Sequence, residues 1–455
     1  MHKVLIREVD LISRFRQYWY DMKSSFWFVP GLILVGAIIL AIVLINVDVL
    51  ITPGIIENWP RLLGAGAESS RNLLETIATS MITVAGVVFS ITLVALSLAS
   101  SQYSSRVLNT FMNDRTNQIV LGVFVGIFAY CLVVIRTIKD TEEGFFVPDL
   151  AVLFGLILGI VGIAFLVFFI HHIATSIQAS QILLTVFEET IENIDSTFYE
   201  QLEAENFVVH AEPNRPGKNW YTVLSTQTGY IQQIDMRPLL TFARREETVV
   251  SLERGIGEFL IAGAPALSVL YAYPPDDKIV RNLHGAFTVG RQRTSNKDVA
   301  YGIRQLVDVA LKALSPGVND TTTAVMVIDY LTAILVHLSD RRIETPYIME
   351  DGELRVLLRG PTYTILVAEA FKQIRKNAEG NKAILIRLFG SLEVLAGQTK
   401  DTKRRQVLLM HARDMVETAR RSIASTSDRQ EIQDISTRVI DLLDAPEGNG
   451  QTEMV

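Results

Sequence analysis

TIATSMITVAGVVFSITLVALSLASSQYS, Thr76 to Ser104, is the stretch from which the rest of the chain is read. At steps of seven, Thr76, Thr83, Ser90, Ser97 and Ser104 carry hydroxyls. Thr79, Ser80, Gly86, Ser100 and Ser101 lie beside them, and the remainder is almost wholly Ile, Val, Leu, Met, Phe and Ala. About 20 apolar residues without a charge cross a bilayer as a helix. This one would cross with a single small, polar stripe. In a membrane, Gly, Ala, Ser and Thr usually mark close packing, because backbones approach and hydroxyls bond across helices or back into their own. The other use of such a stripe is the wall of a wet path shared between subunits, and the two uses are compatible.

Working outward, three more apolar runs accompany it: Phe26 to Val47, Ile119 to Ile138 and Val147 to Ile170. Phe26, Trp27 and Phe28 open the first as an interfacial aromatic belt. That run is longer than a signal-peptide core and no small-residue cleavage site follows it, so it reads as a retained span. Asp48 to Glu75, with Pro53, Gly54, Trp59 and Pro60, reads as a polar link that reverses the chain. In the third run Gly122 and Gly126 stand at small-xxx-small spacing, a packing signal. Residues 1–25, with Lys3, Arg7, Arg14, Arg16 and Lys23, form an amphipathic cytoplasmic lead. That lead and the link holding Arg106 and Arg115 are basic, whereas the other links carry several acids. The excess of Lys and Arg places both termini in the cytoplasm, with a four-helix transmembrane domain over residues 26–172.

The composition agrees with a membrane domain joined to at least one soluble domain: 455 residues, 49% hydrophobic and 20% charged, with a mean hydropathy of +0.29. A net charge of -7 lacks the basic face of a nucleic-acid binder. The single cysteine, Cys131, can form no internal disulfide.

Past His171 and His172 the helical spacing continues through Ile173, Ile177, Leu184, Phe187, Ile191 and Ile194, which predicts that the fourth span runs on as a stalk over residues 173–218. Adjacent histidines point in different directions on a helix, so an interfacial role is favoured over a shared metal, with a pH response as a further use. Over residues 219–290 the period becomes that of strands: Tyr221 to Ser225, Gly229 to Asp235, Thr248 to Glu253 and Ala266 to Ala272, with a short helix from Met236 to Arg245. TGYIQQID, Thr228 to Asp235, and ERGIGEFLIAGAPALSVL, Glu253 to Leu270, resemble the strand and turn order of barrel-sandwich-hybrid domains. No lysine sits in the TGY turn, so the resemblance implies a small structural β barrel and not a carrier.

Residues 291–445 read as a helical domain and 446–455 as a disordered tail. Ser295 and Asp298 make an N-cap signature before a helix to about Leu314. Ser315, Pro316 and Gly317 break it, and Asn319 or Asp320 starts another to about Leu338. A short strand from Leu354 to Leu358 and three or four amphipathic helices between Tyr363 and Leu443 follow.

Two stretches carry a family resemblance. LSLASSQYSSRVLNTFMNDRTNQIVLGVFVGIFAYCLVV, Leu96 to Val134, and GRQRTSNKDVAYGIRQLVDVALKALSPGVNDTTTAVMVIDYL, Gly290 to Leu331, together resemble the predicted bacterial membrane proteins of the domain of unknown function 2254 family. The resemblance implies a bacterial inner-membrane location and little chemistry. The threonine run after ALSPGVND departs from the family, which often has Pro there. Within the second stretch, Arg304 and Asp308 are four apart on one helical face, flanked by Arg291, Arg293, Asn319 and Asp320. Such a set holds a tight loop or a subunit interface through charged hydrogen bonds, or else binds an ion or small ligand.

No P-loop, GxSxG elbow, HExxH, CxxC or dinucleotide-binding glycine pattern is present, and His210, His284 and His411 are scattered among unlike neighbours. No catalytic residue, metal set or cofactor is therefore expected. The fold expected is an α-helical membrane protein with four transmembrane helices, followed by a cytoplasmic α+β region of small barrel plus helical bundle. The function expected is a homo-oligomeric channel or pore for ions or small solutes, lined by Thr76, Thr79, Thr83, Gly86, Ser90 and Ser97. No span carries a charge in its core, so hydroxyl rings would be the source of a wet path. Lipid and further copies of the chain are the expected partners. The alternative is a non-conducting sensor or scaffold whose cytoplasmic part binds a ligand. A secondary transporter ranks third, lacking repeated halves and interrupted helices.

Overall fold

The structure is a computed structural model describing residues 27–55, 66–102, 114–141, 144–176, 178–198, 219–271, 275–341, 343, 347–350 and 352–445. The expected lead over 1–25, the basic link around Arg106, the end of the stalk over 199–218, His210 and the tail over 446–455 lie outside the described residues. The chain divides into two compact units, residues 1–178 and 179–455.

The N-terminal unit consists of α1 (Phe28–Ile55), α2 (Ala67–Gln102), α3 (Arg115–Thr137), a hairpin of β1 (Lys139–Thr141) and β2 (Gly144–Phe146), and α4 (Asp149–Ser176). α3 packs on all three other helices. Its glycines set the approach to α1: a Cβ at Gly122 would stand 2.8 Å from Ile33 Cδ1 and 3.0 Å from the Pro30 Cα. α4 meets α2 in the same way, and a Cβ at Gly155 would stand 2.6 Å from Leu74 Cδ2. Small residues thus set both close crossings, as packing in lipid requires.

The link expected over Asp48 to Glu75 is shorter than the sequence suggests. α1 continues to Ile55 and α2 begins at Ala67. Asp48, expected in a loop, is a buried helix residue whose carboxylate accepts from the Leu150 and Ala151 amides at 3.3 and 3.1 Å. It caps α4 from another helix, taking up two of the amides that a helix start leaves unpaired. The Tyr130 hydroxyl donates to Ala151 O at 2.7 Å beside it.

The expected unbroken stalk is replaced by two helices: α4 ends at Ser176, and α5 (Ala179–Thr197) opens the C-terminal unit. The strands that follow form two sheets. β3 (Trp220–Leu224), β7 (Pro265–Leu270), β5 (Val250–Leu252), β10 (Glu353–Leu357) and β9 (Tyr347–Glu350) make a five-stranded sheet in that order. β6 (Phe259–Leu260), β4 (Gly229–Ile234) and β8 (Phe287–Gly290) make a three-stranded one. Val223, Val250, Leu267 and Val269 from the first meet Ile231, Leu260 and Phe287 from the second in one core, joined by Leu239 and Phe242 of α6 (Met236–Arg245) and Leu283 of α7 (Asp277–His284). In place of a closed barrel built from 219–290, two sheets share a core and one of them takes in a hairpin from beyond residue 346.

The helical layer comprises α5, α8 (Val299–Ala313), α9 (Thr321–Ser339), α10 (Tyr363–Asn377), α11 (Lys382–Gln398), α12 (Thr402–Ser422) and α13 (Thr426–Asp444). Asp298, Asp320, Thr362, Asn381, Asp401 and Ser425 cap six of these, each side chain accepting from an amide in its first turn. Among the described residues, five helices are long and apolar enough to cross a membrane: α1 to α4 and α9. α9 is the least apolar, with a mean hydropathy of 1.5 against 2.3 to 3.0 for the others, and it packs against α5, α8, α10 and α11.

Candidate functional site

α2 buries one face and leaves the other outside its own unit. Leu74, Ala78, Met81, Ala85, Val88 and Ala95 face the core. Thr76, Thr79, Thr83, Gly86, Ser90 and Ser97 are all exposed, and no atom of the described residues would lie within 4 Å of a Cβ at Gly86. The stripe is not sealed against the other helices of its own unit. Three of its five hydroxyls are held by their own helix: Thr76 donates to Asn72 O at 2.8 Å, Thr83 to Thr79 O at 2.7 Å and Ser90 to Gly86 O at 2.8 Å. Each oxygen keeps lone pairs free to accept, which suits either a neighbouring helix or water.

The polar motif of the C-terminal unit resolves into separate contacts. Arg304 bonds Asp308 at 2.8 Å along α8 and Glu369 of α10 at 3.2 Å. Arg291 is exposed and is not brought to that pair. Asn319 takes φ +49°, closing the turn before α9. Asp320 accepts from the Thr323 amide at 3.0 Å, and its carboxyl is held below the usual carboxylate range by the Thr323 hydroxyl first and that amide second. The residue that organises the loop is one the sequence reading treated as flanking: Arg293 grips Asp298 with two bonds of 2.6 and 2.8 Å and lies over the Tyr301 ring. Only glycine fits at 257 beside this pair, since a Cβ there would stand 2.1 Å from Asp298 Oδ2.

α5 is fastened to the same loop. Asn193 donates to Ser295 O at 2.8 Å and accepts from the Lys297 amide at 2.7 Å. Burial, with Glu192 second, holds the nearby Glu189 carboxyl above its usual range. Two residues on from Asn193, Asp195 receives both His337 and Arg341, at 2.7 and 2.6 Å. These partners are remote in sequence, so no local spacing could have disclosed them.

Within the N-terminal unit, the partner of His172 and the burial of Asn117 are not visible in the sequence. His172 bonds Asp114, the N-cap of α3, at 2.7 Å. Asn117, 2% exposed, has neither amide atom partnered among the described residues. His172 also stacks on Phe168. No group of three or more His, Cys, Asp or Glu able to hold a metal occurs among the described residues.

Long apolar helices packed through glycines, followed by a mixed α/β unit, define a multi-helix membrane protein. The chain belongs to the family described as predicted membrane protein (DUF2254), whose model matches residues 23–394. It is 31% identical over 387 residues to an uncharacterised protein of Mycobacterium tuberculosis strain CDC 1551, covering 83% of this chain and 73% of that protein. A Mycobacterium bovis protein, also uncharacterised, is 30% identical over the same length and coverage. No solved structure matches the chain.

Proposed function

We propose that this chain is the subunit of an oligomeric channel or pore for ions or small solutes in the bacterial inner membrane. α1 to α4 cross the bilayer, both termini are cytoplasmic, and the C-terminal unit acts as vestibule or gate. α9 is assigned to the core of the C-terminal unit, which its lower hydropathy and its four packed neighbours support. The observation that carries the reading is the outward stripe of α2. Own-helix bonding lets such hydroxyls tolerate lipid, but copies of α2 around an axis would turn the row into rings of oxygen acceptors from Thr76 to Ser97.

A second reading, a non-conducting sensor or scaffold, is favoured by the bonds that Thr76, Thr83 and Ser90 make to their own helix, which satisfy those donors without water. Flux and single-channel recording in liposomes separates the two, comparing the natural chain with Thr83→Leu and Ser90→Leu at matched density and oligomeric state. Conductance that drops in the leucine variants is the expected result. Silence of an intact natural oligomer under every ionic condition overturns the channel in favour of the scaffold.

A further inference from the structure

α2 and α4 run parallel, and between them a groove of about 280 Å3 opens on the outer face of the N-terminal unit. Thr76, Ser80 and Val84 form one wall and Gly159, Ile160 and Ile163 the other, with Phe124 of α3 as floor. Ile160 and Ile163 at the mouth are 61% and 59% exposed. The lining runs from Leu156 to Leu166 on α4, roughly 15 Å at 1.5 Å per residue.

We infer that this groove is a binding site for one acyl chain of a membrane lipid. Hydrophobicity does not choose the occupant here, because lipid tails are as apolar as the lining; shape and polar valence do. The only polar side chains in the lining, Thr76 and Ser80, donate to Asn72 O and Thr76 O of their own helix, so no donor asks for a head group, an ion or a peptide. The groove is long and narrow because glycines replace side chains along α4, where Gly159 and Gly162 let Ile77 and Met81 approach. A void of this size inside a bilayer leaves its walls without partner atoms and forfeits their dispersion contacts. A flexible chain lying along the span restores them, and such chains are what surrounds these helices. The rival occupant is an apolar side chain from a second copy.

The test uses the full chain reconstituted with a phospholipid bearing a diazirine on one acyl chain, then washed extensively in lipid-free detergent before photolysis and peptide mapping. Retained label concentrated on the 76–84 and 156–166 segments, lost in Ser80→Leu with Ile160→Trp and kept in the surface control Val167→Trp, is the expected result. Val167 is 65% exposed and lies outside the groove lining. Label spread equally onto exposed Leu32 and Val43 of α1 would show ordinary lipid contact and overturn the site. Absence of label together with groove-to-groove subunit crosslinks would give the groove to a second copy and overturn it too. Either failure leaves the conductance comparison untouched, since it does not involve groove filling.

Discussion

His411 of α12 is 3% exposed, and neither ring nitrogen finds a partner among the described residues. Burial pushes its pKa below the ordinary imidazole value, opposed by Asp414 and assisted by Arg375 and Lys372. The unfolded chain, with an ordinary pKa near 6.5, therefore binds the proton more readily. Stability is full above about pH 6.5 and declines as pH falls toward the lowered folded value. His411→Leu removes a buried group that gains no hydrogen bond, so it should leave stability at pH 7.5 unchanged or raised and flatten its fall toward pH 5.5, read from thermal midpoints. Asp320 gives the opposite case, a folded pKa held low by its Thr323 bonds. Its contribution is present above the unfolded value of about 4 and lost only below it. Asp320→Ala should cost about 1–2 kcal/mol at neutral pH, the usual worth of a helix cap, and chemical denaturation measures it. Asp298 and Asp320 were legible because a cap is a local pattern. His411 was not, since nothing in its neighbours reports that α12 turns this residue inward. Arg404 is similar: its guanidinium closes α9 by donating to Leu338 O, Ser339 O and Arg341 O, more than 60 residues away.

At the level of elements, apolar runs mark the long apolar helices α1 to α4, while their ends are set by contacts the sequence does not display. α1 outlasts its apolar run, and Asp48 within the extension reaches α4, over a hundred positions away. Likewise β10 pairs in parallel with β5 across about a hundred residues, so a boundary at residue 290 was the natural but incomplete reading. Gly122 and Gly126 were recognisable by spacing, yet Gly155, Gly159 and Gly162 of α4 do as much packing without having been singled out. This gives a paired expectation. Gly122→Leu forces its Cβ against the Pro30 backbone, which cannot yield as a side chain can, and overpacking of this kind costs about 1–3 kcal/mol. Gly86→Leu meets open space on the other side of the unit. Thermal unfolding in detergent should fall for Gly122→Leu and stay unchanged for Gly86→Leu. A fall in both would mean that α2 buries Gly86 against something in the purified particle.

For the whole molecule the decisive issue is what the α2 stripe faces in the proposed assembly, because a hydroxyl bonded to its own helix is stable against protein, lipid or water alike. Cys131 is fully buried, so a single cysteine placed at Ser90 can be read against a quiet background. A charged methanethiosulfonate reacts with a thiolate, and a thiol facing lipid or sealed between helices ionises too little to be modified. The channel reading therefore expects rapid labelling of Ser90→Cys in liposomes and a matching drop in flux, with Ile39→Cys, on the exposed apolar face of α1, left unmodified. Labelling of neither, with oxidant-induced dimers forming through Ser90→Cys, would instead mean that the stripe is a dry seam between copies. The hydroxyls would then serve close approach alone, and the C-terminal unit would carry the activity.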